Sequence, residues 1–179
     1  MRIVLALFFS ALSIPTFALN LPDGWRLPSE KELSGEERDN AHNSYSSGSR
    51  FSKAEGDFNS DGVLDFAYIL VSTKFNGDGL FIYLSTPYGY KWIALEEGNL
   101  DKAYPDKGYV YSTPAMGIGA LSPTTFRSYV ENAWPENNVF PEEADFSSSA
   151  LDYFKFESAG SLYFWSKSNK KFVRFWYSD

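Results

Sequence analysis

The chain has no cysteine. Disulfides, thiol nucleophiles and zinc–thiolate centres are excluded together. Histidine is almost as scarce. The only one, His42, stands beside Asn43 and Ser44 in a polar stretch, where nothing positions an imidazole for a Ser–His–Asp triad. Basic residues are outnumbered, 16 Lys+Arg against 23 Asp+Glu, for a net charge of −7. Nucleic-acid binding needs basic stripes to neutralise phosphates and is therefore not expected. An acidic surface suits solubility or a basic protein partner instead.

Long apolar runs are also few. Met1-Arg2-Ile3-Val4-Leu5-Ala6-Leu7-Phe8-Phe9 reads as a positive n-region and a short apolar h-region, with Pro15 and then Thr16-Phe17-Ala18 at a cleavage point. The stretch is too short to span a bilayer, so residues 1–18 are expected to be a removed signal peptide. Residues 19–179 then form a single periplasmic or secreted domain, with 15 basic against 23 acidic residues and a net charge of −8. With no cysteine to acylate and no second hydrophobic run, no membrane anchor is expected. About 160 residues are enough for one core.

Aromatics, at 18%, are abundant and suit a β-rich fold with large cross-strand pairs. Ser29 to Leu33 offers a capping box, Ser29 with Glu32, and predicts one short N-terminal helix. Residues 36–50 are polar and aperiodic and read as a loop. Leu64 to Ser72 is apolar on both alternations, which predicts a central strand buried on both faces. Asn76-Gly77-Asp78-Gly79 is a hairpin turn signal, followed by strands at 80–85 and 90–96. The C-terminal end repeats the plan, with strands at 151–157, 162–166 and 171–177. The expected fold is mainly β: two antiparallel, three-stranded, propeller-blade-like meanders, either a degenerate duplication or two similar meanders. Between them, 109–113 and 126–130 are strand candidates, Met116 to Leu121 is a glycine-punctuated apolar run, and 133–149 reads as a long surface excursion.

The run Asp57-Phe58-Asn59-Ser60-Asp61-Gly62-Val63-Leu64-Asp65 carries the chemistry. Ca²⁺ takes six to eight oxygen ligands, and a tight loop supplies them from positions 1, 3, 5, a backbone carbonyl at 7, and 9. Here those are Asp57, Asn59, Asp61, the Val63 carbonyl and Asp65, with Gly62 free to adopt the positive φ of the turn. The twelfth position is Tyr68 and a strand follows, so the loop is not an EF-hand. From Gly56 to Ala67 it resembles the calcium loop of FG-GAP and VCBS-type repeats, found in integrin propellers and bacterial secreted proteins. That resemblance implies Ca²⁺ as cofactor, held by the residues just named.

No enzyme is expected. Glu96-Glu97 and Glu142-Glu143 are paired carboxylates, but neighbours on a strand point to opposite faces, and no phosphate-cradling loop or transition-metal cluster is present. The expected function is binding a macromolecule, most simply a protein. Size, charge and architecture are similar to periplasmic lysozyme inhibitors and immunity proteins, which implies a secreted hydrolase or toxin as partner. The acidic excursion, with Trp134, Glu136, Glu142, Glu143 and Asp145, is then the contacting element. A carbohydrate-binding module is the other reading, with Trp92, Trp165, Trp176 and Tyr90 as a stacking platform, although such residues more often fill a β core.

Overall fold

The computed structural model describes residues 19–33, 51–108, 114, 116–133, 144–155 and 158–178. The signal segment, the polar loop with His42, and the strand candidate at 109–113 lie outside them. The elements, in chain order, are β1 (Trp25–Arg26), α1 (Glu30–Leu33), β2 (Lys53–Gly56), β3 (Asp65–Ser72), β4 (Asp78–Thr86) and β5 (Gly89–Glu97). Then come α2 (Leu100–Ala103), β6 (Met116–Leu121), α3 (Pro123–Ala133), β7 (Ala150–Lys155), β8 (Gly160–Ser166) and β9 (Lys171–Ser178). Among the described residues no helix is long and apolar enough to cross a membrane.

The strands form two antiparallel sheets. In the first, β3, β4 and β5 make the expected meander, and β1 and β2 pair with opposite ends of β3. The second is β6-β7-β8-β9. The first meander therefore gains two short strands, β1 and β2, and the second gains β6, none of which the sequence pattern had assigned as strands. Period-2 alternation then sorts the side chains. Ala67 lies opposite Ile82, and Ile69 opposite Leu80. These four face Ile118, Leu151, Tyr153 and Tyr163 of the second sheet across one core. The alternate residues of the first sheet, Leu70, Phe81 and Tyr83, pack outward under Trp25, Phe66, Tyr68 and Tyr90.

The segment 126–130, expected as a strand, is the middle of helix α3. Ser122 caps it, its Oγ accepting from Thr125 N at 3.1 Å, and Pro123 takes the first helical position, where a missing N–H costs nothing. Phe126 and Val130, four apart, share one face and are buried against Ala150, Leu162 and Phe164 on the outer side of the second sheet. β-branched and aromatic residues suggested a strand, but the 3.6-residue spacing decided otherwise. The predicted 76–79 turn is also displaced. β4 begins at Asp78, and Gly79 is a strand residue over which the Trp25 ring packs.

Backbone hydrogen bonds join the two sheets along one side. Just before β2, Phe51 O accepts from Ile118 N and Ser52 O accepts from Ile69 N, each at 2.9 Å. Successive carbonyls thus hold opposite sheets. At the other side β5 and β9 end their sheets without pairing to one another.

Candidate metal centre

The loop expected to bind calcium connects β2 to β3. Its ends are in register, Gly56 opposite Asp65. Phe58, fully buried in the inter-sheet core, anchors it. Ser60 and Gly62 take positive φ values of 62° and 82°. For Gly62 this is free, and the reversal brings side-chain oxygens onto the loop's own N–H groups. Asp57 Oδ1 accepts from Asp61 N at 3.1 Å, and its Oδ2 from Gly62 N at 2.8 Å. Asn59 Oδ1 accepts from Asp61 N at 3.2 Å, and Asp61 Oδ1 from Val63 N at 2.8 Å.

Asp65 is turned inward and has no exposed surface. Its Oδ2 accepts from Phe58 N at 2.9 Å and its Oδ1 from Ser85 N at 2.8 Å. One carboxylate thereby ties the loop to the end of β4. Burial pushes its pKa up to about 6 against those two N–H groups, and the charges of Asp61 and Asp57 push the same way. Among the described residues no three His, Cys, Asp or Glu side chains stand together as a ready-made metal set. The donors that the loop does offer are hard oxygens, and an oxygen that accepts one N–H keeps a second lone pair. That chemistry fits Ca²⁺ and suits neither zinc nor copper.

A distant segment clamps the loop. Ser149 N donates to Asp57 O at 2.7 Å, and Ser60 Oγ meets Ser147 Oγ at 2.7 Å. Ser147 donates through N and Oγ to Asp145 Oδ1, at 3.0 and 2.6 Å. Lys167 Nζ reaches Ser147 Oγ at 2.9 Å and Asp145 Oδ2 at 2.8 Å. Burial opposes ionisation of Asp145, but the Lys167 and Ser147 hydrogen bonds outweigh it and hold the carboxyl below its usual range. A serine beside a lysine invites comparison with a nucleophile and its base. Here the Asp145 carboxylate accepts the Ser147 hydroxyl and pairs with Lys167, so the three side chains fix this segment against the loop. Ser147, Ser149 and Lys167 carried no sequence signal: Ser60 and Ser147 are 87 positions apart.

Of the residues expected to meet a partner, Trp134, Glu136, Glu142 and Glu143 lie outside the described residues. Asp145 does not face outward; its side chain is 13% exposed and paired with Lys167. Of the aromatic residues considered for stacking, Tyr90 packs against Leu70, Phe81 and Tyr83 on the outer face of the first sheet. Trp92 and Trp176 are half-exposed, whereas Trp165 packs edge-on against Phe172 at 5.1 Å, and the Arg174 guanidinium covers the Trp176 ring at 3.7 Å. Glu96, one of the paired glutamates, accepts from Arg174 Nη1 at 2.6 Å and from the Tyr163 hydroxyl. No protein-family model, curated protein or solved structure matches the chain.

Proposed function

We propose that this is an exported, non-enzymatic β domain that binds one Ca²⁺ ion in the 57–65 loop and acts by binding another protein. The observation that carries the calcium reading is the loop geometry: the side-chain oxygens of Asp57, Asn59 and Asp61 turn onto one tight reversal at Gly62. A cation there would offset the repulsion between the Asp57 and Asp61 carboxylates, which share the turn. Asp57, Asn59, Asp61, Asp65 and the Val63 carbonyl would hold it. The ion supplies charge neutralisation and loop closure, and it ties together a fold that has no disulfide. Extracellular calcium modules bind with Kd near 10⁻⁴–10⁻³ M, so at tenfold excess the stabilisation is only ~1.4 kcal/mol.

The protein-partner reading rests on the net charge of −7 and on Arg174 occupying one face of the Trp176 ring, which leaves a smaller area there for stacking on a sugar. Thermal unfolding in EDTA and in millimolar Ca²⁺ tests the metal site. Added calcium should raise the melting temperature reversibly, and Asp61→Ala should abolish the rise. Asp61 is the position to change because Asp65 also holds two backbone N–H groups. Equal melting temperatures with and without calcium would remove the proposal.

A further inference from the structure

The free side of the sandwich, between β5 and β9, encloses a cleft of about 410 Å³. It opens where β5 and β9 end their sheets without pairing to one another, and none of its lining residues belongs to the 57–65 loop. Its floor is apolar: Ile93 and Leu95 from β5 and Phe172 from β9, all partly buried and packed on the inter-sheet core, with Trp165 beside Phe172. One end is closed by the Glu96–Arg174 pair, whose charges cancel. Arg174 is further fixed by donating Nε to Ser161 Oγ at 3.0 Å, so this wall is preorganised and neutral.

The rim is not neutral. Lys170 and Lys171 line the cleft, and neither has a carboxylate partner among the described residues. In a chain carrying −7 overall, two uncompensated cations over an apolar floor are a local reversal of sign. Lys170 also holds a left-handed backbone, φ 49°, a conformation costing a non-glycine residue about 1–2 kcal/mol. The turn keeps a lysine at a position where glycine or asparagine would be relaxed.

We infer that the β5–β9 cleft binds a small organic acid with a flat apolar body: the body lies on Ile93, Leu95 and Phe172, and its carboxylate meets Lys170 and Lys171. The volume lies at the small end of the ~300–1,000 Å³ span of ligand pockets. At ~30 Å³ per water it corresponds to about 14 waters, which suits a two-ring acid better than a long chain. Displacing water from that floor while keeping the carboxylate at the wet rim follows the usual division between apolar lining and a few polar anchors.

The test uses 2-naphthoate and its uncharged amide, 2-naphthamide, titrated into the ¹⁵N-labelled protein. The Trp165 indole resonance is assigned by its loss in Trp165→Phe. Naphthoate should move that resonance and saturate below about 1 mM. The double variant Lys170→Gln/Lys171→Gln, altered only at exposed positions, should weaken naphthoate about tenfold, ~1.4 kcal/mol, and change naphthamide by less than about twofold. Absence of a saturable shift, or equal weakening of acid and amide, overturns the assignment. So does an extended acidic peptide that saturates the β5 and β9 amide shifts where naphthoate does not, because the free edges would then be a strand-docking surface.

Discussion

Replacing Arg174 with methionine tests how the open side of the sandwich is held. The change keeps an apolar stem and removes three main interactions, besides longer contacts of the guanidinium with the Tyr153 and Tyr163 rings at 5.5 Å each. The first is the 2.6 Å ion pair with Glu96. Hydrogen bonds to charged groups contribute ~1.5–3 kcal/mol, but these side chains are 22% and 33% exposed, so screening reduces the pair to ~1–1.5 kcal/mol. The second is the bond to Ser161 Oγ at 3.0 Å. Ser161 is fully buried, and its remaining partner is the Tyr153 carbonyl at 3.4 Å, so this loss costs ~1 kcal/mol. The third is the guanidinium over Trp176 at 3.7 Å, worth ~0.5–1 kcal/mol. Arg174→Met should therefore lower the unfolding free energy by ~3 kcal/mol in urea titration, with the m-value unchanged. Only the first interaction belongs to Glu96. A double-mutant cycle with Glu96→Gln should return a coupling of ~1 kcal/mol, reduced in 1 M salt, where the screening length is ~3 Å. A coupling below ~0.3 kcal/mol, with a single-variant loss below ~1 kcal/mol, would refute the view that this ion pair clasps the free edges.

Two glycines separate conformational from steric cost. An added Cβ at Gly77 would lie 1.9 Å from the Gly98 carbonyl oxygen, whereas at Gly62 it would meet nothing within 4 Å. Gly77→Ala should lose ~3 kcal/mol by overpacking and by disturbing the Gly98 N–Asp78 O bond of 2.8 Å. Gly62→Ala should lose ~1 kcal/mol from its positive φ alone; equal losses in urea melts would contradict the geometry. The pH dependence turns on Glu32, whose pKa is lowered from 4.5 to about 2, first by the Arg26 hydrogen bonds and then, against burial, by Ser29. Because the folded value is the lower one, Glu32 stabilises the fold above pH 4.5, and that contribution is lost as pH falls toward 2. A carboxyl ¹³C titration of Glu32 with its midpoint near 4 would count against it.

The capping box at Ser29 and Glu32 was readable because it is local. Its main function, receiving both Arg26 nitrogens at 2.8 and 2.7 Å, was not, since it arises only when β1 folds back beside the helix. The tight 57–65 turn was legible for the same reason as the capping box: its oxygen-bearing side chains and its glycine lie within nine positions. β3 could be read as doubly buried from composition alone, and the structure places apolar layers on both its faces. Helix α3 was not legible in the sequence because Phe126, Tyr129 and Val130 favour strands intrinsically, while the face they form is revealed only by the sheet they cover.

By itself the sequence determined the β class, the two meanders, the oxygen-rich loop and the absence of thiol chemistry. Each is set by residue type or by spacings of a few positions, where local sterics and alternation suffice. Tertiary structure alone decided that the meanders share one core, that Ser147 and Lys167 clamp the loop, and that Glu96 meets Arg174 across the free edges. Those contacts join residues tens of positions apart. Their partners are chosen by which faces must be buried together, and no local pattern encodes that choice.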